Sequence, residues 1–179
     1  LMDDHAIRSF FCVTSDAWPQ RQNIGEFGCA KAPISGGRND FERTLENILR
    51  EKKGNRASVI LHYENYSYAK RGCPFTLVGA LKRLKKRFGF TLITLFHEVY
   101  ATGPVWKSAF WLNPAQKKLS AEVISLSDHI FTPLQKHAEF IKKYSGGKKL
   151  FSLPNISNIP EPRNVPPLDT RTNRIVVFG

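Results

Sequence analysis

Residues 74–98 read PFTLVGALKRLKKRFGFTLITLFHE, and this stretch decides the fold. Leu77, Leu81, Leu84 and Phe88 recur at helical spacing behind Pro74, which a first turn tolerates, and Gly89 suits the left-handed turn that ends a helix. Residues 90–96 (FTLITLF) follow at once as an apolar strand, halted at His97-Glu98. A helix feeding straight into a buried strand is the second half of a β-α-β unit. Its first half stands just upstream, where residues 58–61 (SVIL) form a strand that ends in His62-Tyr63-Glu64-Asn65-Tyr66.

The same alternation continues in both directions. Upstream, residues 7–13 (IRSFFCV) predict a strand, and Asn39 with Glu42 makes a capping-box start for a helix over 40–52 carrying Phe41, Leu45, Ile48 and Leu49. Between them, Pro19, Gly25, Gly28, Pro33 and Gly36 read as irregular chain. Downstream, Asn113-Pro114 predicts the start of a helix with Leu119, Val123 and Leu126 on one side. A short strand follows at 129–131. Thr132-Pro133 then predicts a helix with Leu134, Ala138 and Ile141 inward, closed by Gly146-Gly147, and residues 150–153 a last strand. The expected class is α/β: a Rossmann-like, doubly wound parallel sheet covered on both faces, over residues 1–153.

Residues 154–173 hold five prolines without periodicity and read as a linker. Residues 174–179 (RIVVFG) read as the first strand of a second domain that is cut short, and the lack of a glycine-rich turn before the first strand suggests an initial βα unit that is also missing.

Twenty-seven Lys and Arg against 15 Asp and Glu give a net charge of +12, which favours anionic partners. Cys12, Cys29 and Cys73 show neither a disulfide framework nor thiolate zinc spacing, so a reducing, cytoplasmic setting is expected. The apolar runs fall far short of the ~20 residues a membrane-spanning helix needs. Membrane contact, if any, is then peripheral: Lys82, Arg83, Lys85, Lys86 and Arg87 crowd one helix, where each basic residue attracts anionic lipid by about 1 kcal/mol, although such a run is ordinarily a solvated face. Nucleic acid is not expected, because these cations lack interleaved exposed aromatics.

In open parallel sheets, ligands bind beyond the carboxyl ends of the strands. That rule selects Thr14, Ser15 and Asp16; His62, Glu64, Asn65 and Tyr66; His97 and Glu98; and Thr132 with Asn155. His97 directly follows a long apolar strand, placing an imidazole at the ligand edge, with a hydrogen-bonded structural histidine as the plain alternative. Glu98 could orient a sugar hydroxyl. His62, Asn65 and Tyr66 mix a titratable group, an amide and a ring, as carbohydrate sites do, whereas Tyr63 reads as core. His5, His129 and His137 receive no role, and His137 is placed on a helix surface. No recognised metal-ligand spacing occurs, and Ser35-Gly36-Gly37-Arg38 resembles a phosphate-cradling turn only loosely.

Taken in order, SVILHYENYSYAKRGCP, FTLITLFHEVY, LSDHIFTP, LPNISNIP and RIVVFG resemble the N-terminal, acceptor-side domain of family 4 (group 1) GT-B glycosyltransferases. The resemblance covers most of the chain. It implies a metal-independent, retaining transferase that needs no cofactor beyond its donor substrate, a nucleoside-diphosphate sugar such as a UDP- or GDP-sugar. The acceptor would be a saccharide or a lipid-linked sugar, in polysaccharide or glycolipid biosynthesis. FHE would put His97 where the family carries its active-site histidine, as a hydrogen-bond donor near the transferred sugar and leaving phosphate, with positioning and charge stabilisation dominating. Glu98 would stand beside it as a second catalytic residue, and His62, Asn65, Tyr66, Trp106, Thr132 and Asn155 would contact substrate. Trp106 and Trp111 are expected either to stack on sugar rings or to be core. The family's second domain supplies the basic pair and the acidic donor-binding motif, so this chain alone is expected to be inactive. Two other readings stay open: a GT-B-like sugar-nucleotide epimerase using Glu64 and Glu98 to move a proton, and a non-catalytic basic α/β binding module.

Overall fold

The computed structural model describes residues 10–14, 23–24, 27–32, 34, 40–51, 57–133 and 135–153. It is α/β and Rossmann-like, with a parallel four-stranded sheet flanked by helices. The sheet comprises β4 (Ser58–Tyr63), β5 (Thr91–Phe96), β6 (His129–Thr132) and β7 (Leu150–Ser152), in that order and parallel throughout. A smaller sheet pairs β1 (Phe10–Val13) in parallel with β3 (Phe27–Lys31), and β2 (Asn23–Ile24) antiparallel to β3. The helices are α1 (Asp40–Glu51), the single turn α2 (Asn65–Tyr68), α3 (Phe75–Phe88), α4 (Ser108–Leu126) and α5 (Ala138–Tyr144), the last preceded by a 3-10 turn at Gln135–His137.

Strand order that runs one way fixes where the helices go. Right-handed crossovers between successive neighbours carry every connecting helix to the same side. Accordingly α1 packs on α3, α3 on α4 and α4 on α5 as one layer. Beneath it lie Leu61, Tyr63, Leu92, Phe96 and Ile130, all buried, with Leu77, Leu81 and Leu84 of α3 and Val123 and Ile124 of α4 above them. The helical cover expected on both faces is thus described on one. No described helix lies over the other face, where Ile60 is 61% exposed.

The polar groups of the covered face are paired. Thr94 Oγ1 and Ser127 Oγ are 2.7 Å apart, and Ser127 Oγ donates to the Val123 carbonyl at 2.7 Å. Asp128 accepts from the Leu92 amide at 2.7 Å and pairs with Lys85; this contact and those of the Leu92 amide and Lys148 hold its carboxyl below the usual range against the effect of burial. Gly89 closes α3 at φ 65°, donating to the Lys85 carbonyl at 2.9 Å as expected.

Several elements differ from the sequence reading. The stretch between β1 and α1 contains β3, because Gly28 is no turn residue: a Cβ there would come within 2.7 Å of the Phe10 ring on the paired strand. Helix α4 begins at Ser108 and carries Pro114 inside it, while Asn113 donates its side-chain amide to the Ala101 carbonyl at 2.7 Å instead of capping. The proline removes a single helical bond near the helix start. His137 is not on a surface but 5% exposed. The predicted linker and final strand, Asn155, Ser15, Asp16, His5 and residues 35–38 lie outside the described residues.

Candidate functional site

Parallel pairing aligns Leu61 with Thr94 and His62 with Leu95. Side chains alternate along a strand, so His62 and, one residue beyond the end of β5, His97 both stand on the face that no described helix covers. There they meet: His62 Nδ1 and His97 Nε2 are 3.1 Å apart, with the rings 18° from coplanar. Both are exposed. The backbone beneath them is fixed, because the His97 amide donates to the Tyr63 carbonyl at 3.0 Å and the Tyr68 hydroxyl donates to the His62 carbonyl at 2.5 Å.

One proton fits between the two facing nitrogens. If His97 Nε2 carries it, His97 Nδ1 is left an acceptor and His62 Nε2 a donor; the other neutral arrangement, with the proton on His62 Nδ1, reverses both outer nitrogens and is reached when His62 Nε2 gives its proton to solvent and His97 Nδ1 takes one up. The pair therefore offers a ligand one donor and one acceptor, and their places exchange only when the shared proton shifts and the outer nitrogens trade a proton with solvent or ligand. Two positive charges would put N–H against N–H. Burial, and then the charge of His97, hold the His62 pKa below its ordinary 6.5.

A second polar layer organises the loops around this pair. Gln116, fully buried in α4, accepts from the Ala101 amide at 2.9 Å and donates to the Arg71 carbonyl at 3.1 Å and the Tyr66 hydroxyl at 3.3 Å. It thereby ties the loop after β4 to the loop after β5. Gly72 sits against it at φ 64°, where a Cβ would approach Gln116 Nε2 to 2.6 Å. Asn65 donates to the Val99 carbonyl at 3.1 Å and accepts from Ser120 Oγ at 3.4 Å.

The expected site residues therefore separate into two groups. His62, His97 and Tyr66 are exposed at the carboxyl edge, and Glu98 is half-buried beside them. Asn65 and Thr132 are buried on the helix side; the Thr132 hydroxyl donates to the Phe96 carbonyl at 3.1 Å. Their polar atoms hold the edge in shape. Trp106 is 81% and Trp111 71% exposed, so neither is core. Glu64 is exposed and accepts from Ser67 Oγ at 2.8 Å. Tyr63 is core, with burial pushing its phenol up to about 12.

No family model, curated protein or solved structure matches this chain. What the site can do is accordingly read from its own chemistry. Among the described residues no group of three His, Cys, Asp or Glu is placed to hold a metal ion, and no helix is long and apolar enough to cross a membrane. Sequence reasoning missed Gln116, Ser120 and Tyr68. The first two were visible as polar residues spaced on the apolar stripe of α4, where a buried side chain must find partners.

The basic helix α3 is also different in substance from its sequence. Arg83 grips Glu42 of α1 through two bonds of 2.8 and 2.6 Å, Arg87 pairs with Glu46 at 2.7 Å, Lys82 with Glu122 at 3.5 Å, and Lys85 with Asp128. Four of its basic side chains thus join α3 to its neighbours.

Proposed function

We propose that this chain is the acceptor-side domain of a sugar-nucleotide-dependent glycosyltransferase, with the His62–His97 pair at its reacting edge. The observation that carries the reading is that pair: two imidazoles in contact at the carboxyl ends of adjacent parallel strands, on rigid backbone, with one donor and one acceptor nitrogen turned outward. A sugar hydroxyl both donates and accepts, and a departing diphosphate needs a donor beside it. His97 supplies that donor hydrogen bond, and His62 sets which of its nitrogens carries the proton. Tyr66 borders the acceptor side. The resemblance of the ordered motifs supports the same reading. By that resemblance the donor nucleotide would be held by a second domain, and transfer would then need both domains.

The test is turnover of a panel of nucleoside-diphosphate sugars by the full-length protein, wild type beside His97→Ala. Release of the nucleotide from one donor, with its sugar passed to an added acceptor, and a loss of about a hundredfold or more in the variant at unchanged fold support the proposal. Absence of binding and turnover with every donor refutes it.

A further inference from the structure

The carboxyl edge carries a second feature beside the imidazole pair. Val105, Trp106, Phe110 and Trp111 are all exposed, within seven residues that open α4, and Phe75 is exposed at the start of α3 on the same edge. Large apolar side chains gathered this way mark a contact surface. The patch is built, not frayed: Trp111 donates its indole N–H to the Val105 carbonyl at 2.7 Å, and its ring meets Phe110 edge-on at 5.3 Å. With that N–H already satisfied, the Trp111 ring can leave water without stranding a donor.

Charge identifies what the patch faces. Lys107 lies between the two tryptophans, and Lys70 and Arg71 stand on the neighbouring loop, which Gln116 ties to the base of the patch at Ala101. All three are exposed and none forms an ion pair among the described residues, in contrast to Lys82, Arg83, Lys85 and Arg87 of α3. Exposed aromatic rings with unpaired cations on the same edge match a bilayer interface, where indoles sit at headgroup depth and Lys and Arg reach anionic phosphates.

We propose that Val105 to Trp111 form a wedge that seats the carboxyl edge of the sheet on an anionic membrane surface. The wedge enters only as far as the headgroup and upper acyl region, and Lys70, Arg71 and Lys107 bind lipid phosphates around it. Peripheral attachment thus belongs to the edge that carries His62 and His97, not to the paired face of α3. This inference does not rest on the transferase reading, because vesicle binding is measured without turnover.

The experiment is co-sedimentation of the full chain with phosphatidylcholine vesicles, with and without phosphatidylglycerol, together with quenching of tryptophan fluorescence by brominated phosphatidylcholine. Binding is expected only with phosphatidylglycerol and is expected to weaken with salt. Trp106→Ser with Trp111→Ser should weaken it about tenfold or more and remove most of the quenching. Both rings are exposed, and circular dichroism checks that the variant folds. If it does not, quenching in the wild type and its loss in Lys107→Glu carry the test. Three results overturn the wedge: no sedimentation with phosphatidylglycerol, sedimentation without tryptophan quenching, or tryptophan fluorescence that responds to soluble saccharide and not to vesicles.

Discussion

On the helix-covered face of the four-stranded sheet, Leu61, Tyr63, Leu92, Phe96 and Ile130 are buried and the hydroxyls of Thr94 and Thr132 are bonded. One residue along each strand, the other face presents Ile60, His62, Ile93, Leu95, Phe131 and Phe151, exposed or half-exposed, with His97 just beyond. The strands are the same, and only the parity of the residue decides which environment it meets. Stability is concentrated where side chains interdigitate and the buried threonine hydroxyls are matched. Chemistry is concentrated where the imidazoles keep nitrogens free for a ligand. Because the described helices pack as one layer, the two properties are separable by mutation.

The largest contrast should come from Phe96→Ala, which removes a fully buried ring 5.2 Å from that of Tyr63 and should cost about 3–5 kcal/mol in denaturant unfolding. Gln116→Leu should cost about 1–3 kcal/mol, because the Ala101 amide and Arg71 carbonyl lose their partner. Faster hydrogen exchange at the Ala101 amide would locate that loss in the loops of the edge.

A smaller effect should appear on acidification. His62 and His137 both have pKa values below the ordinary 6.5, chiefly through burial, so between that value and their folded values the unfolded chain binds more protons. Stability should fall as pH drops through 6.5, before carboxylates titrate. His137, whose two ring nitrogens are buried without partners, should be replaceable by phenylalanine at little cost at pH 7, and His137→Phe should flatten the acid slope. Smallest of all, Ile60→Ser should change stability by no more than about 0.5 kcal/mol. A loss approaching that of Phe96→Ala would mean that the open face is covered in the folded protein, and the comparison would fail.

Much of this was legible in the residues. Helix α3 and strand β5 announced themselves through the spacing of Leu77, Leu81 and Leu84, the stop at Gly89 and the unbroken run to Phe96. The position of His97 followed from the same run. Its contact with His62 did not, because register between strands is set by packing that no local pattern encodes. Gly28 and Pro114 misled for a shared reason: each serves a tertiary purpose, close approach of Phe10 or an inexpensive place inside a helix, while carrying the local signal of a turn or a start. The burial of His137 was hidden too, since its helix is one short turn and α5 packs it against Tyr100, ring to ring at 5.5 Å.

The measurement that bears most directly on the account is the imidazole nitrogen spectrum of the full-length protein during titration with nucleoside-diphosphate sugars. With the donor that is turned over, the His62 and His97 resonances should move together, as a shared proton requires, while those of His129 and His137 stay in place. A donor that is turned over with His62 and His97 unmoved would contradict the assignment of the site to this pair.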